Sequence, residues 1–255
     1  MLWPEHAPAS RDPTQYIHLN ATLVAPLDVE PVDQVANSRS VWIPPGDWVD
    51  GWTGAVVSGP RTLANVTQPP SRIPMWHRKG AVLVTATPSP TGRLVHQDWA
   101  ELIVHAWPAA GAAVGRRVVY EQEGNGGGTG DVETPTVVEM ITRDDGTVSL
   151  TVTAAPVARA WLVRLHLDPG QHLQLSAGAD AKQLPVRHVP PAAGCKQNRG
   201  SGSGGGVTDS GASDAEFFPF LGEGAPPPCM SGAVAEFRLA QGRAPVRVEG
   251  KLTYT

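Results

Sequence analysis

The amino-acid sequence predicts an all-β protein, and three observations carry that reading. Gly and Pro supply 28 and 25 of the 255 residues, too closely spaced for long helices and suited to short strands joined by turns. Several apolar runs alternate with polar residues, the period of a strand with one wet face. Apolar residues make up 41% of the chain, enough for one large or two modest cores.

The strands follow in order. Thr22 to Ala25 and Ser40 to Ile43 are short apolar or β-branched runs bounded by turn residues, and Arg61 to Val66 and Ala81 to Thr85 continue the series. Thr87 to Arg93 reads Thr-Pro-Ser-Pro-Thr-Gly-Arg, a composition shift that marks a domain boundary. Beyond it, strands are expected at Glu101 to Trp107, Arg117 to Tyr120, Thr136 to Thr142, Thr147 to Thr153, Trp161 to Leu167 and Val246 to Thr253. Thr147 to Thr153 has a period of two that places Val148, Leu150 and Val152 on one face, and Asp144-Asp145-Gly146 before it is a hairpin turn signal. From about Ala192 to Cys229 the chain is rich in Gly, Ser and Pro without a core pattern, which predicts a disordered insert.

Charged residues are only 17% and the net charge is -4. There is no basic stripe to neutralise phosphates and no polybasic segment for anionic lipid, so neither nucleic acid nor a membrane is an expected partner. No apolar run approaches the roughly 20 residues that span a bilayer. Met1 to His6 lacks the basic start and apolar block of a secretion signal and reads as the interior of a longer polypeptide. Cys195 and Cys229 match no zinc-ligand spacing and are either free or joined in one bridge. Two glycosylation sequons occur, Asn20-Ala21-Thr22 and Asn65-Val66-Thr67, the first beside a buried strand.

The densest information lies between Pro44 and Gly80. Pro44 to Gly54 reads Pro-Pro-Gly-Asp-Trp-Val-Asp-Gly-Trp-Thr-Gly, and Arg72 to Gly80 reads Arg-Ile-Pro-Met-Trp-His-Arg-Lys-Gly. The pair resembles the region just after the catalytic barrel of family 31 glycoside hydrolases, the α-glucosidase and α-xylosidase group, where Pro-x-Gly-x-Trp-x-Asp-x-Trp-Thr-Gly is followed by Ile-Pro-x-x-x-Arg-x-Gly. Gln15 to Leu27 resembles the last barrel strand of that family: Leu23, Val24, Ala25 and Pro26 agree, while Leu19 stands where the family usually has Gly and Thr22 replaces an apolar residue. Val118 to Gly124 resembles the start of the family's distal domain, with Gln122 and Glu123 in place of two aspartates.

The resemblance implies residues 1–37 as a remnant of the end of a (β/α)8 barrel, a proximal β-domain over 38–92, and a distal β-sandwich over 93–255 with the insert at 192–229. It further implies that the intact enzyme hydrolyses α-linked glucosides or related α-glycosides with retention, through two barrel aspartates and without metal or organic cofactor. No position in this sequence corresponds to those aspartates. Its sugar substrate would be met through the barrel, so no catalytic, cofactor-binding or metal-ligating residue is assigned here. The competing class is a stand-alone carbohydrate-binding or protein-docking β-sandwich.

The chemistry-bearing residues have plainer uses. Asp47 and Asp50, beside Trp48 and Trp52, offer the carboxylate pair of a glycosidase, but their spacing suits turn formers that accept backbone N–H bonds. Trp42, Trp48, Trp52 and Trp76 are expected as core rather than as a sugar-stacking surface, since each can bury about 200 Å2. Arg72 and Arg78 flank Ile73-Pro74, which reads as part of an edge strand; either arginine could meet a barrel carboxylate or simply be solvated. Gly124 to Gly130 lacks the Lys-Ser/Thr of a phosphate loop, and Asp131 falls outside calcium-repeat spacing. His77, His96 and His105 sit on separate elements without a His-x-x-x-His pair, and no Gly-x-Ser-x-Gly elbow is present.

Overall fold

A computed structural model of the chain describes residues 3, 5–6, 14–27, 38–68, 72–87, 89, 91, 93, 99–120, 135–153, 159–176, 187–189, 234–242 and 246–254. All regular structure among them is β. The elements are β1 Tyr16–His18, β2 Thr22–Val24, β3 Ser38–Asp50, β4 Val56–Thr67, β5 Met75–Arg78, β6 Val82–Ala86, β7 Glu101–Ala106 and β8 Ala113–Val119. They continue as β9 Thr136–Thr142, β10 Thr147–Val152, β11 Arg159–His166, β12 Gln171–Ser176, β13 Arg187–Val189, β14 Val234–Gly242 and β15 Val246–Tyr254.

The strands form three five-stranded sheets. The first has the order β1-β2-β5-β3-β4, and the other two run β12-β15-β10-β9-β8 and β13-β14-β11-β7-β6. Every pairing is antiparallel except that of β7 with β11. The second and third sheets face each other over one core, in which Val148, Leu150 and Val152 of β10 meet Trp161, Val163, Phe237 and Val104. This is a β-sandwich. The turn at Asp144-Asp145-Gly146 closes the β9–β10 hairpin, with Asp145 Oδ1 accepting from the Thr147 N–H at 2.9 Å. The first sheet has its own core of Leu23, Ala25, Val41, Ile43, Trp48 and Trp76.

Several expectations are revised. The stretch before Ser38 resembles a barrel strand in sequence; here β1 and β2 form an antiparallel hairpin, and β2 pairs antiparallel with β5. Its turn residues Leu19 and Asn20 have φ of 52° and 58°, a left-handed pair that reverses the chain in two residues. Ala21, Leu23 and Ala25 are fully buried, which anchors the hairpin. The strand after Pro74 is not an edge: β5 lies between β2 and β3. The sheet boundary also comes earlier than residue 92, because β6 pairs with β7 in the sandwich. Strands β1, β12, β13 and β14 escaped the periodicity reading. The Gly124 to Gly130 run, Asp131, His96, Cys195, Cys229 and the 192–229 insert lie outside the described residues.

Candidate functional site at the junction of the sheets

The turn Asp50-Gly51-Trp52-Thr53-Gly54 ends β3, and Asp50 organises it. Its Oδ1 accepts from the backbone N–H groups of Trp52 and Thr53, both at 2.8 Å, the role that places Asp at turns. Asp47 Oδ1 accepts from the Ser58 hydroxyl at 2.6 Å on the neighbouring strand. The two carboxylates therefore hold local structure rather than flank a groove. Trp42, Trp48, Trp52 and Trp76 are all buried. Trp48 Nε1 donates to the Pro44 carbonyl at 3.0 Å and Trp52 Nε1 to that of Ile73 at 2.7 Å, so two of the indoles also satisfy their polar edge. Arg72 lies over the Trp52 ring, 5.0 Å from its centre, a cation–π contact.

Sequence reasoning missed a cluster that crosses from the first sheet to the sandwich. His77 of β5 stacks on Trp107 at 4.3 Å and 11°, and Trp107 also stacks on His166 at 4.6 Å and 9°. One indole thus stacks with two imidazoles from different sheets. His105 Nδ1 lies 3.0 Å from His166 Nε2, and the Thr22 hydroxyl lies 3.0 Å from His77 Nδ1. His105 and His166 stand 61 residues apart, and His77 comes from a different sheet. No spacing rule links them. Their only sequence signal is that His77, His105 and His166 each directly follow an apolar residue in a strand that is mostly apolar or carries its charge elsewhere.

The imidazoles are neutral there. Burial pushes His77 and His166 down to about 3, with His77 and Arg164 adding to the effect on His166. His105 is held well below its ordinary value, first by burial and then by His166, Arg164 and His77. Parallel stacked rings do not converge on a point, and among the described residues no group of three or more His, Cys, Asp or Glu is placed to hold a metal ion.

Backbone and charge close the same junction. Gly80 N donates to Trp107 O at 2.6 Å and Trp107 N to Ala81 O at 3.2 Å, while the Lys79 ammonium pairs with Asp168. Gly80 has φ of +83°, a left-handed turn between β5 and β6. A Cβ on Gly115 would stand 2.3 Å from Gly80 O, so β8 can approach the turn only through a glycine. These contacts make the junction a packed joint rather than a linker.

Comparison with known proteins addresses what such a joint belongs to. Residues 1–83 match the family model of the glycosyl hydrolase family 31 C-terminal domain. That stretch is a family 31 C-terminal domain by sequence, and it makes up the first third of the chain. The match covers the first sheet, its tryptophan core and the start of β6. No curated protein matches the chain significantly.

Among solved structures, the family 31 dextranase of Flavobacterium johnsoniae in complex with glucose aligns over 98% of this chain and 28% of its own, with TM-score 0.58 and 14% identity. The cycloalternan-forming enzyme of Listeria monocytogenes, in complex with a pentasaccharide substrate, aligns over 99% and 20%, with TM-score 0.56 and 16% identity. The α-1,4-glucan lyase of Gracilariopsis lemaneiformis aligns over 91% and 22%, with TM-score 0.51 and 18% identity. At these identities the likeness is one of fold, and it extends over the family 31 region and the sandwich together. The chain spans 20 to 28% of the length of these enzymes.

Proposed function

We propose that this chain is the non-catalytic β-portion of a family 31 glycoside hydrolase, bracing a catalytic barrel that cleaves α-linked glucosides or related α-glycosides. The observation that carries the proposal is how the family's motif residues are spent. Within the matched stretch, Trp48, Trp52 and Trp76 are buried, Asp50 holds a turn, and Asp47 accepts a cross-strand bond from Ser58. Chemistry on a glycosidic bond needs two carboxylates facing a sugar, and these two are committed elsewhere. The structures that share the fold carry the names of a dextranase, a cycloalternan-forming enzyme and a glucan lyase. One β-scaffold thus accompanies several reactions, which suits a supporting role.

The division proposed for the chain is a proximal β-layer through Lys79 and a distal sandwich from Val82 onward, joined by the histidine–tryptophan stack. The test is hydrolysis of p-nitrophenyl α-glucoside and α-xyloside by this chain alone and by the full polypeptide that contains it. The proposal expects activity in the second only. Turnover by this chain alone would overturn it, and specific retention of this chain on an α-glucan column would favour a stand-alone sugar-binding module.

A further inference from the structure

Outside the joint, a cleft of about 300 Å3 opens between the β1–β2 turn, the β5–β6 turn and β8. Leu19, Asn20, Arg78, Gly80, Val114 and Arg116 are among the residues that line it. Lys79 also borders it, but its ammonium is taken by Asp168. Among the described residues no carboxylate lines the cleft. Three cationic side chains therefore border one concavity in a chain whose net charge is -4.

Arg78 is the centre of the argument. Its backbone is fixed twice, by the N–H bond to Ala21 O at 2.8 Å and by the pairing of β5 with β3 opposite Trp48. Its side chain is half-buried, and among the described residues neither it nor Arg116 meets an acceptor or a carboxylate. A guanidinium withdrawn partly from water without a counter-charge is costly, and a planar oxyanion gripped by its fork relieves that cost. The neighbouring walls are apolar at Leu19 and Val114, both exposed, and offer contact to the carbon part of a ligand.

From this arrangement we infer that the cleft is a binding site for a small oxyanion, a phosphate or a carboxylate-bearing molecule, gripped by Arg78 with help from Arg116. Nothing in the inference depends on the family 31 reading. Inorganic phosphate and citrate are the probes, each titrated by calorimetry and by thermal melting against sodium chloride at matched ionic strength. Phosphate or citrate should raise the melting temperature above the chloride control, and the stronger of the two identifies the preferred group. Arg78→Gln should weaken binding about 10- to 100-fold, and Arg116→Gln by less.

Asn20→Asp supplies the missing charge from within the chain. It should raise the melting temperature without any added anion and abolish the response to phosphate. Equal responses in the unmodified chain and Arg78→Gln, or no response beyond chloride, would overturn the inference. So would an Asn20→Asp variant that still responds to phosphate as the unmodified chain does.

Discussion

Lowering the pH from 7.5 to 4.5 is expected to destabilise the chain by about 5 kcal/mol through the histidine junction alone. His77 and His166 are held down to about 3 in the folded state, chiefly by burial, whereas unfolded histidines titrate near 6.5. Below 6.5 the unfolded chain binds protons that the folded chain cannot accept. Stability from these groups is therefore complete above pH 6.5 and is lost progressively as the pH falls toward 3. At pH 4.5 each of the two contributes a loss of about 2.7 kcal/mol. His105 shifts in the same direction and adds to it. Against a typical total of about 5 to 15 kcal/mol, this decides whether the fold survives.

The charges that face the cluster do not reverse the sign. Arg164, paired with Glu236 at 2.9 Å, is a cation and opposes protonation of His105 and His166. Lys79 is matched by Asp168. Asp145, in the β9–β10 turn, has a lowered pKa, set first by its hydrogen bond to the Thr147 backbone, so acid acts on it in the same destabilising direction. Thermal melts at pH 7.5, 6.0 and 4.5 and constant ionic strength should show a fall of about 10 to 20 °C for a chain of this size. His77→Phe keeps an aromatic ring on Trp107 and leaves the Thr22 hydroxyl unmatched, at about 1 kcal/mol. It should nevertheless shrink the pH-dependent loss by about 2.7 kcal/mol. A melting temperature constant within about 2 °C across this range, or a His77→Phe variant with undiminished pH dependence, would refute the reasoning.

Three further outcomes are expected. Trp52→Ala should cost about 3 to 5 kcal/mol in urea unfolding, since it removes a buried indole, its bond to Ile73 O and the seat of Arg72; an unchanged midpoint would deny the indole its core role. Gly115→Ala drives a Cβ toward Gly80 O and should cost about 3 kcal/mol or more, read as a lower denaturation midpoint. Leu19→Gly should be neutral or stabilising by about 1 kcal/mol, because φ of 52° strains a leucine and not a glycine; a clear loss of stability in the melt would show that the leucine side chain outweighs its backbone.

How much of this was legible in the sequence depends on the range of the interactions involved. The β-class and strands such as β9 and β10 follow from alternation and from a turn at Gly146, all local signals. The turn role of Asp50 is also local, acting on backbone two and three residues ahead. The burial of the four tryptophans follows from their size. By contrast, β5 falls between β2 and β3 through pairings with residues more than 25 positions away, and Pro74 beside it suggested an edge. Strands β12 and β14 carry polar residues such as Gln171, Glu236 and Arg238 that mask the apolar face. The junction was the least legible part. Three histidines from β5, β7 and β11 and the tryptophan that follows β7 meet only because two sheets dock, and nothing in their spacing announces it. The Leu19 position marks the opposite case, where departure from the family's glycine was visible and the structure shows a left-handed backbone borne by a leucine.

The central claim is that this β-region serves a larger family 31 glycosidase, and size with activity tests it directly. The native protein bearing residues 38–54 and 72–80 would be followed by mass spectrometry through size-exclusion fractions, each assayed for α-glucoside and α-xyloside hydrolysis. The account predicts that these peptides co-elute with activity in a polypeptide far larger than 26.9 kDa. Peptides confined to an inactive 26.9 kDa species would contradict it.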